Sequence, residues 1–542
     1  MNITQQTLQM GRYSPPTWEA ADDEFRKVML EALSQKDVGL AKAASTRMGM
    51  LIGQDEQIQT LLDGGASEAL ANAIAKTITT ATGLVAYDLQ APAKNLYPVK
   101  TPLRNRIPRR GGGVGLATNW RQITALIGSG WDAEGWVPEG QRSAQMSYQA
   151  VDKSANFVTI GEEDAATYEA INAGRGFEDV MGRMTFRLLQ KMMLKEEMAI
   201  LGGNRSLALG VPATPVLAAG GTGATLPAAT YSVIVVALTL EGYKNSTLAS
   251  GVATTKTITG ADGKTYTLNG GASNKSAAAT QAITLGEHLS ATVIPIRGAV
   301  AYAWFIGAAG SEKLEAITTI NSVRISAPLA GTGQAATAVT TDYSRNATMA
   351  FDGLMTTAFA AGSNAYVKTM ATGTAGTGTP LTASGRGSVT EIDDMFQTMY
   401  DTYRLSPSLL LISSRESRSI TNHVFTGNSN ASLLSINSDG GRMSVTAGGA
   451  VDQYFNSFTG QVIPIIIHDD LPPGTIVGWA ENLPVQYQSN EVPNVAEILT
   501  RADYYEINWP LTTRQRQVGV YAEEVLAVYS PFAMGVITNI GA

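Results

Sequence analysis

Apolar positions recur at helical spacing near the amino end. TWEAADDEFRKVMLEALSQ sets acidic residues in its first turns and Phe25, Val28, Met29 and Leu33 on one side. EALANAIAKTITT, after Gly64-Gly65, repeats the period, so residues 17–87 predict helices. A longer helix is predicted over 176–201, with Phe177, Met181, Met184, Leu188, Met192 and Met198 in one stripe and Gly202-Gly203 as its stop. Such a Met-rich stripe is core packing rather than a cofactor box. SVTEIDDMFQTMYDTYRL predicts a capped helix with Ile392, Met395, Met399 and Tyr403 on one face, and SRESRSITNHVF another.

Period-two patterns lie between these helices. ATNWRQITALI and QMSYQAVDKSANFVTI flank a Gly-rich stretch, which predicts a long β-hairpin over 116–160 with Trp131 and Trp136 on its tip. Aromatic residues on a protruding loop serve a partner more often than a private core. From about 207 to 343 charges thin out, and TYSVIVVALTLEGY, TKTITGADGKTYTL and AYAWFIGAAGSEKLEAITTI alternate as strands. Asp262-Gly263 marks a tight turn, and Trp304 with the Val/Ile run at 233–236 supplies the core of a small β-sandwich. Patterns before and after this block belong together, so it is inserted. PSLLLIS and QVIPIIIH read as buried strands, ATGTAGTGTPLTASGRG as a flexible linker, and the carboxyl end as β-rich and aromatic.

Residues 88–115 break both periods. Pro92, Pro98, Pro102 and Pro108 stiffen an extended arm in which Lys100, Arg104, Arg106, Arg109 and Arg110 gather, with no acidic residue between Asp88 and Asp132. The arm has two readings: a DNA-facing surface, or arginines paired with Asp and Glu of adjacent subunits, the second being favoured. The 542-residue chain as a whole carries 39 basic against 46 acidic residues, so it does not attract polyanions over its full surface. With no cysteine, disulfides and thiolate chemistry are excluded. The amino end has no signal-peptide pattern and no apolar run reaches membrane-spanning length, so a soluble protein with no membrane partner is expected.

Enzymatic chemistry finds no constellation. His288, His423 and His468 fall in separate modules, where each is read as a satisfied structural residue. Gly263-Lys264-Thr265 imitates the end of a phosphate loop, but Ile258 stands where the first glycine is required. Glu162-Glu163, Asp393-Asp394 and Asp469-Asp470 are neighbours that point apart, whereas acid/base pairs must face each other across a cleft. Neither catalytic residues, cofactor nor metal are therefore assigned.

Taken in order, these pieces resemble the tailed-bacteriophage major capsid family with the Hong Kong 97-type fold. NLYPVKTPLRNRIPRRGGGVGLATNW is similar to the arm leading into that family's extended loop, and 116–160 to the loop itself. AILGGNRSLALGV resembles the close of its spine helix, SPSLLLISS and QVIPIIIHDDLPPGTIVG its axial strands, and EEVLAVYSPFAMGVITNI the last strand of its peripheral domain.

The resemblance implies an α+β capsid fold with helical segment and arm over 1–115, extended loop over 116–160 and peripheral domain over 161–206. An immunoglobulin-like insert then covers 207–343, a return segment 344–386, the axial domain 387–490 and final peripheral strands 491–542. It further implies self-assembly into hexamers and pentamers of an icosahedral virion shell, formed in a bacterial cytoplasm around double-stranded DNA held by non-specific contact. Scaffolding, portal or decoration proteins are further partners of such shells.

Contacts between subunits are expected from Trp131, Asp132, Glu134, Trp136 and Glu139 on the loop, against Arg187 and Lys191 on the spine helix. Some members crosslink through a loop lysine, but the only candidate here, Lys153, lies near the loop's base. An adhesin using the β-sandwich insert and an encapsulin-type cargo shell are the alternatives. Particle size separates the first, and packaged DNA rather than a cargo enzyme the second.

Overall fold

The long helix expected near the chain's centre forms as α2, Val180–Gly202, about 35 Å long at 1.5 Å per residue. α1, Tyr168–Gly174, precedes it. Asp179 caps α2 by accepting hydrogen bonds from the Met181 and Gly182 amides. Met184, Leu188 and Met192 are buried as the stripe required, but the next positions at that spacing are Glu196 and Ile200. The described residues of the computed structural model are 100–127, 136–143, 147–175, 179–384, 388–426, 434–439, 442–447, 451–483 and 494–542. The helices expected over 17–87, the first part of the arm, Phe177, Trp131, Asp132 and Glu134 lie outside them.

Strands β1 (Arg109–Arg110), β2 (Ala117–Ile127), β3 (Ser147–Asn156) and β4 (Val158–Thr167) open the α+β fold. Among the described strands β2 and β3 pair with each other alone, antiparallel from Ala117↔Asn156 to Ile127↔Ser147. The return strand of the expected hairpin thus ends at Asn156, and residues from Val158 onward join a different sheet.

The block after α2 contains β5 (Val216–Gly220), β6 (Ala229–Leu238), α3 (Leu240–Asn245), β7 (Thr255–Thr259), β8 (Thr265–Asn269), β9 (Ala272–Lys275) and β10 (Ala279–Ile283). β11 (His288–Thr292), β12 (Ala301–Gly307), β13 (Lys313–Thr318) and β14 (Ser322–Ile325) complete it. One sheet runs β10-β6-β12-β13 with β9 also on β6, a second runs β14-β11-β5, and β7–β8 is a separate hairpin turning at Gly263.

Val233, Val235, Tyr302 and Trp304 meet Leu289, Ala291 and Val323 of the second sheet in one core. Ile234, Val236, Ala303 and Phe305 face the other way into another. Both faces of β6 are covered, which explains its unbroken apolar run. The buried Trp304 indole donates to Thr318 Oγ1 at 2.8 Å. Both ends of the block return to one place, where Asn204 Nδ2 donates to the Ser344 carbonyl at 2.7 Å and the Asn346 amide to the Asn204 carbonyl.

α4 (Leu354–Phe359), β15 (Tyr366–Thr369), the short pair β16 (Ala383–Ser384) and β17 (Ser388–Val389), α5 (Thr390–Tyr403), β18 (Leu409–Ile412) and α6 (Ser414–Thr426) come next. β19 (Leu434–Asp439) and β20 (Arg442–Ala447) form a hairpin, followed by β21 (Gln453–Asn456), β22 (Gln461–Ile467) and β23 (Ile476–Trp479). β24 (Ala496–Asn508), β25 (Gln515–Val528) and β26 (Met534–Thr538) end the chain. A four-stranded sheet runs β1-β24-β25-β4, and a six-stranded one β15-β26-β23-β18-β22-β21. Val518, Val520 and Ala522 of β25 lie on Met184, Leu188 and Met192 of α2.

The last strand belongs not with β25 but in the six-stranded sheet, between β15 and β23, so that sheet draws strands from outside 387–490. Residues 371–384 are not a loose linker. The Gly376 amide donates to Ser322 Oγ, and the Gly541 and Ala542 amides donate to the carbonyls of Thr379 and Thr377. Small residues serve close approach: a Cβ on Gly378, at φ 78°, would come within 2.8 Å of Gly541 Cα. α5 starts without a side-chain cap, since Val389 precedes it and Glu391 instead accepts from the Thr382 amide. β22 is only partly buried, with Val462 57% exposed, because the core covering one face of the sheet stops at β18 and Ile466.

Candidate functional site

The basic arm is bound to its own chain. β1 pairs in parallel with β24, Arg109 opposite Ile498. Arg104 Nε donates to Glu196 Oε2 at 2.9 Å and to the Tyr504 hydroxyl at 3.1 Å. Arg109 donates to Glu196, to Asp503 at 2.7 Å and to Glu524 at 2.8 Å. Both guanidinium groups stand 5.1 Å from the centre of the Tyr504 ring, within cation–π range. Arg106 pairs with Glu481 at 2.9 Å and Lys100 with Asp469 at 3.8 Å, while Arg110 stays exposed. Acids for Lys100, Arg104, Arg106 and Arg109, expected from adjacent subunits, are thus supplied by the same chain. One chain places acids beside these arginines because α2 turns two glutamates inward where its apolar stripe ends.

Glu196 and Glu524 have side chains only 1% exposed. Burial pushes the Glu524 pKa up to about 7, reinforced by the Glu196 charge and opposed by Arg109. Burial works against the Arg109 charge, but Glu196, Glu524 and Asp503 outweigh it and hold its pKa above the ordinary value. Arg109 Nε and Glu524 Oε1 remain buried without partners.

Glu197 points elsewhere. It accepts from the Leu103 amide at 2.9 Å, the Arg104 amide at 2.7 Å and His468 Nε2 at 2.8 Å. The Asp470 amide donates to His468 Nδ1, so Nε2 carries the proton. His468 is a fully engaged structural residue, whereas His288 contacts Arg324 at the surface and His423 lies on α6.

Each adjacent acidic pair separates as its backbone dictates. Glu162 binds Lys191 and Lys195 while Glu163 accepts from the Tyr521 hydroxyl. Asp393 accepts from Tyr454 and Asp394 pairs with Lys368. Asp469 meets Lys100 and Asp470 meets Lys244. Among the described residues no group of three His, Asp or Glu could hold a metal, and no helix is long and apolar enough to cross a membrane.

The base of the β2–β3 hairpin is moored firmly. Gln122 Nε2 and Trp120 Nε1 both donate to the Val528 carbonyl at 3.2 Å, the Ile123 amide donates to the Tyr529 carbonyl at 2.8 Å, and Asn364 holds the Thr124 carbonyl. Farther out, no comparable contact is made among the described residues. Every residue of 136–143 is exposed, including Glu139, and Trp136 reaches 91%.

On α2, Arg183, Arg187, Lys191 and Lys195 follow each other at intervals of four and form a basic stripe. Arg183, Arg187 and Asp164 line a cleft of about 430 Å³. Lys191 keeps 62% of its side chain exposed although Glu162 of its own chain lies 2.9 Å away. The pairing of Glu196 and Glu197 with the arm was missed in the sequence. Its one signal is the interruption of a Met/Leu stripe by adjacent acids.

No family model and no curated protein matches this chain. Among solved structures it is similar to the holo-SrpI encapsulin complex of Synechococcus elongatus, with 8% identity, a TM-score of 0.36 and coverage of 88% of this chain and 96% of that one. It is also similar to the capsid of the native GTA particle, with 10% identity, a TM-score of 0.36 and coverage of 86% and 99%. For the Cyanophage A-1(L) capsid the values are 11%, 0.37, 82% and 94%.

Proposed function

We propose that this chain is the major capsid protein of a tailed bacteriophage, a non-catalytic subunit that assembles into an icosahedral shell around double-stranded DNA. The observation that carries the reading is the β2–β3 hairpin. A two-stranded ribbon is marginal in water by itself. Here it is fixed at its root to β25 and the following residues, while the described part of its far end, with Trp136, buries nothing. A rigid root and an apolar, unpartnered end are what an arm reaching onto a neighbouring subunit requires.

In this reading the β1-β24-β25-β4 sheet with α2 is the peripheral domain and α2 its spine helix. The six-stranded sheet with α5 and α6 is the axial domain, and the β5–β14 block is an inserted immunoglobulin-like sandwich whose two ends meet at Asn204 and Ser344. The stripe from Arg183 to Lys195 receives the acidic loop of the next subunit, with modest contacts multiplied by closed symmetry. Assembly takes place in the host cytoplasm, with scaffolding or portal proteins as further partners.

Electron microscopy of the expressed chain tests this, followed by nuclease treatment and extraction of particles made during infection. Closed shells with nuclease-protected DNA are expected. A species that stays small overturns the reading, and particles holding an enzyme instead of DNA replace it with a cargo shell.

A further inference from the structure

The root of the hairpin overhangs a cleft of about 310 Å³, room for one or two side chains. Trp120, Gln122 and Lys153 of the hairpin form one wall, Arg205 and Asp352 another, and β25 supplies Val525 and Val528. Lys153 lies opposite Trp120 in the ladder and therefore on the same, body-facing side.

The charges in this cleft are not balanced. Asp352 Oδ1 is taken by two backbone amides, those of Arg205 and Ser206, each at 2.9 Å. The Arg205 guanidinium makes no ion pair among the described residues, and its Nη1 is buried without any hydrogen-bond partner. Lys153 likewise has no acidic partner among them. A buried guanidinium nitrogen with nothing to donate to is costly, and a carboxylate is the group its planar fork fits best.

The same chain carries an anion in the complementary predicament. Glu139 sits in the turn closed by the Gln141 amide on the Pro138 carbonyl, and all of 136–143 is exposed, so this stretch does not fill its own chain's cleft.

We propose that the cleft lined by Lys153 and Arg205 is a carboxylate-binding socket, and that Glu139 of a second copy of this chain occupies it. The inference rests on the shell reading above and gives Glu139 this cleft as its contact, separate from the α2 stripe that the rest of the loop meets. Arg205 binds the carboxylate through its fork, and Lys153 at the rim adds a second positive charge without orienting it. Trp136, three residues before Glu139, arrives with it and covers the mouth of the cleft with apolar surface.

A double-mutant cycle in the full chain tests this, with Arg205→Gln, Glu139→Gln and both together. Particle yield is read by sedimentation, and unfolding of dissociated subunits by circular dichroism. Because the Arg205 guanidinium makes no ion pair among the described residues and its Nη1 has no hydrogen-bond partner, Arg205→Gln subunits should unfold at or above the wild-type temperature. Each single change should lower particle yield at least fivefold, and the double mutant should do no worse than the poorer single one. Additive losses, or single variants that assemble like wild type, overturn the socket while leaving the shell reading intact. If the wild-type chain itself forms no particles, the shell reading falls and the socket with it.

Discussion

Asn321 and Asn539 hydrogen-bond each other in both directions across 218 positions of sequence. The Asn321 amide donates to Asn539 Oδ1 at 2.7 Å, and Asn539 Nδ2 to Asn321 Oδ1 at 3.0 Å. Both side chains are buried, and each also reaches a carbonyl of its own surroundings, Val293 for Asn321 and Met370 for Asn539. They tie the β-rich block to the end of the six-stranded sheet. Asn539 adds a left-handed φ of 64°, which asparagine tolerates better than most residues.

Replacing Asn539 with Ala leaves several buried groups unpaired and adds backbone strain, so it should cost about 1–3 kcal/mol. Thermal unfolding should show the loss, and Asn539→Gly should recover the strain part only. A neutral Asn539→Ala change would mean that this junction carries no stability.

The Arg109 cluster should make attachment of the arm pH-dependent. The folded-state pKa of Glu524 is raised to about 7 from a usual 4.5, so the folded chain holds a proton there that the unfolded chain has released. The stabilisation is therefore complete below about pH 4.5 and is lost as pH rises through 7. Glu524→Gln should flatten that segment of the stability profile, since it keeps a carbonyl for Arg109 but cannot ionise. Hydrogen exchange of the β1 amides from pH 5 to 8 reads it directly. Protection that rises with pH in the wild-type chain would contradict the assignment.

The long helix separates folding from assembly. Met184→Asp or Leu188→Asp places a carboxylate in the core against Val518 and Val520, and soluble protein should be lost. Arg187→Glu with Lys191→Glu alters exposed positions, where charges contribute roughly 0–1 kcal/mol to stability. Lys195 remains on Glu162 after that change, so the helix should stay docked on β4. Particle yield should nevertheless fall, most at low salt, where like charges across a contact are least screened. Equal yield at every ionic strength would remove this helix face from the assembly contact.

Much of the α+β framework was legible because burial imposes a period. The stripe on α2, both faces of β6, the β7–β8 turn at Gly263 and the apolar side of α5 all follow from local spacing. What remained illegible depends on distant partners. The arginines of the arm look like an external surface until Glu196, Asp503 and Glu524 are brought to them by α2, β24 and β25. Gly373, Gly376 and Gly378 suggest looseness by composition, yet each approaches backbone or packed atoms that a larger residue would strike. β26 could not be assigned to its sheet from pattern alone, because its fully buried MGVIT suits either sheet.

Assembly through the hairpin can be tested with its strands left in place. Deleting residues 128–145 and joining the strands by a short turn leaves the root contacts to Val528 and Tyr529 in place. Sedimentation and circular dichroism of the trimmed and complete chains, measured together, decide the matter. The complete chain should give closed particles, and the trimmed chain a folded subunit with an unchanged spectrum that never closes a shell. Normal particles from the trimmed chain would contradict the central claim that the hairpin joins one subunit to the next.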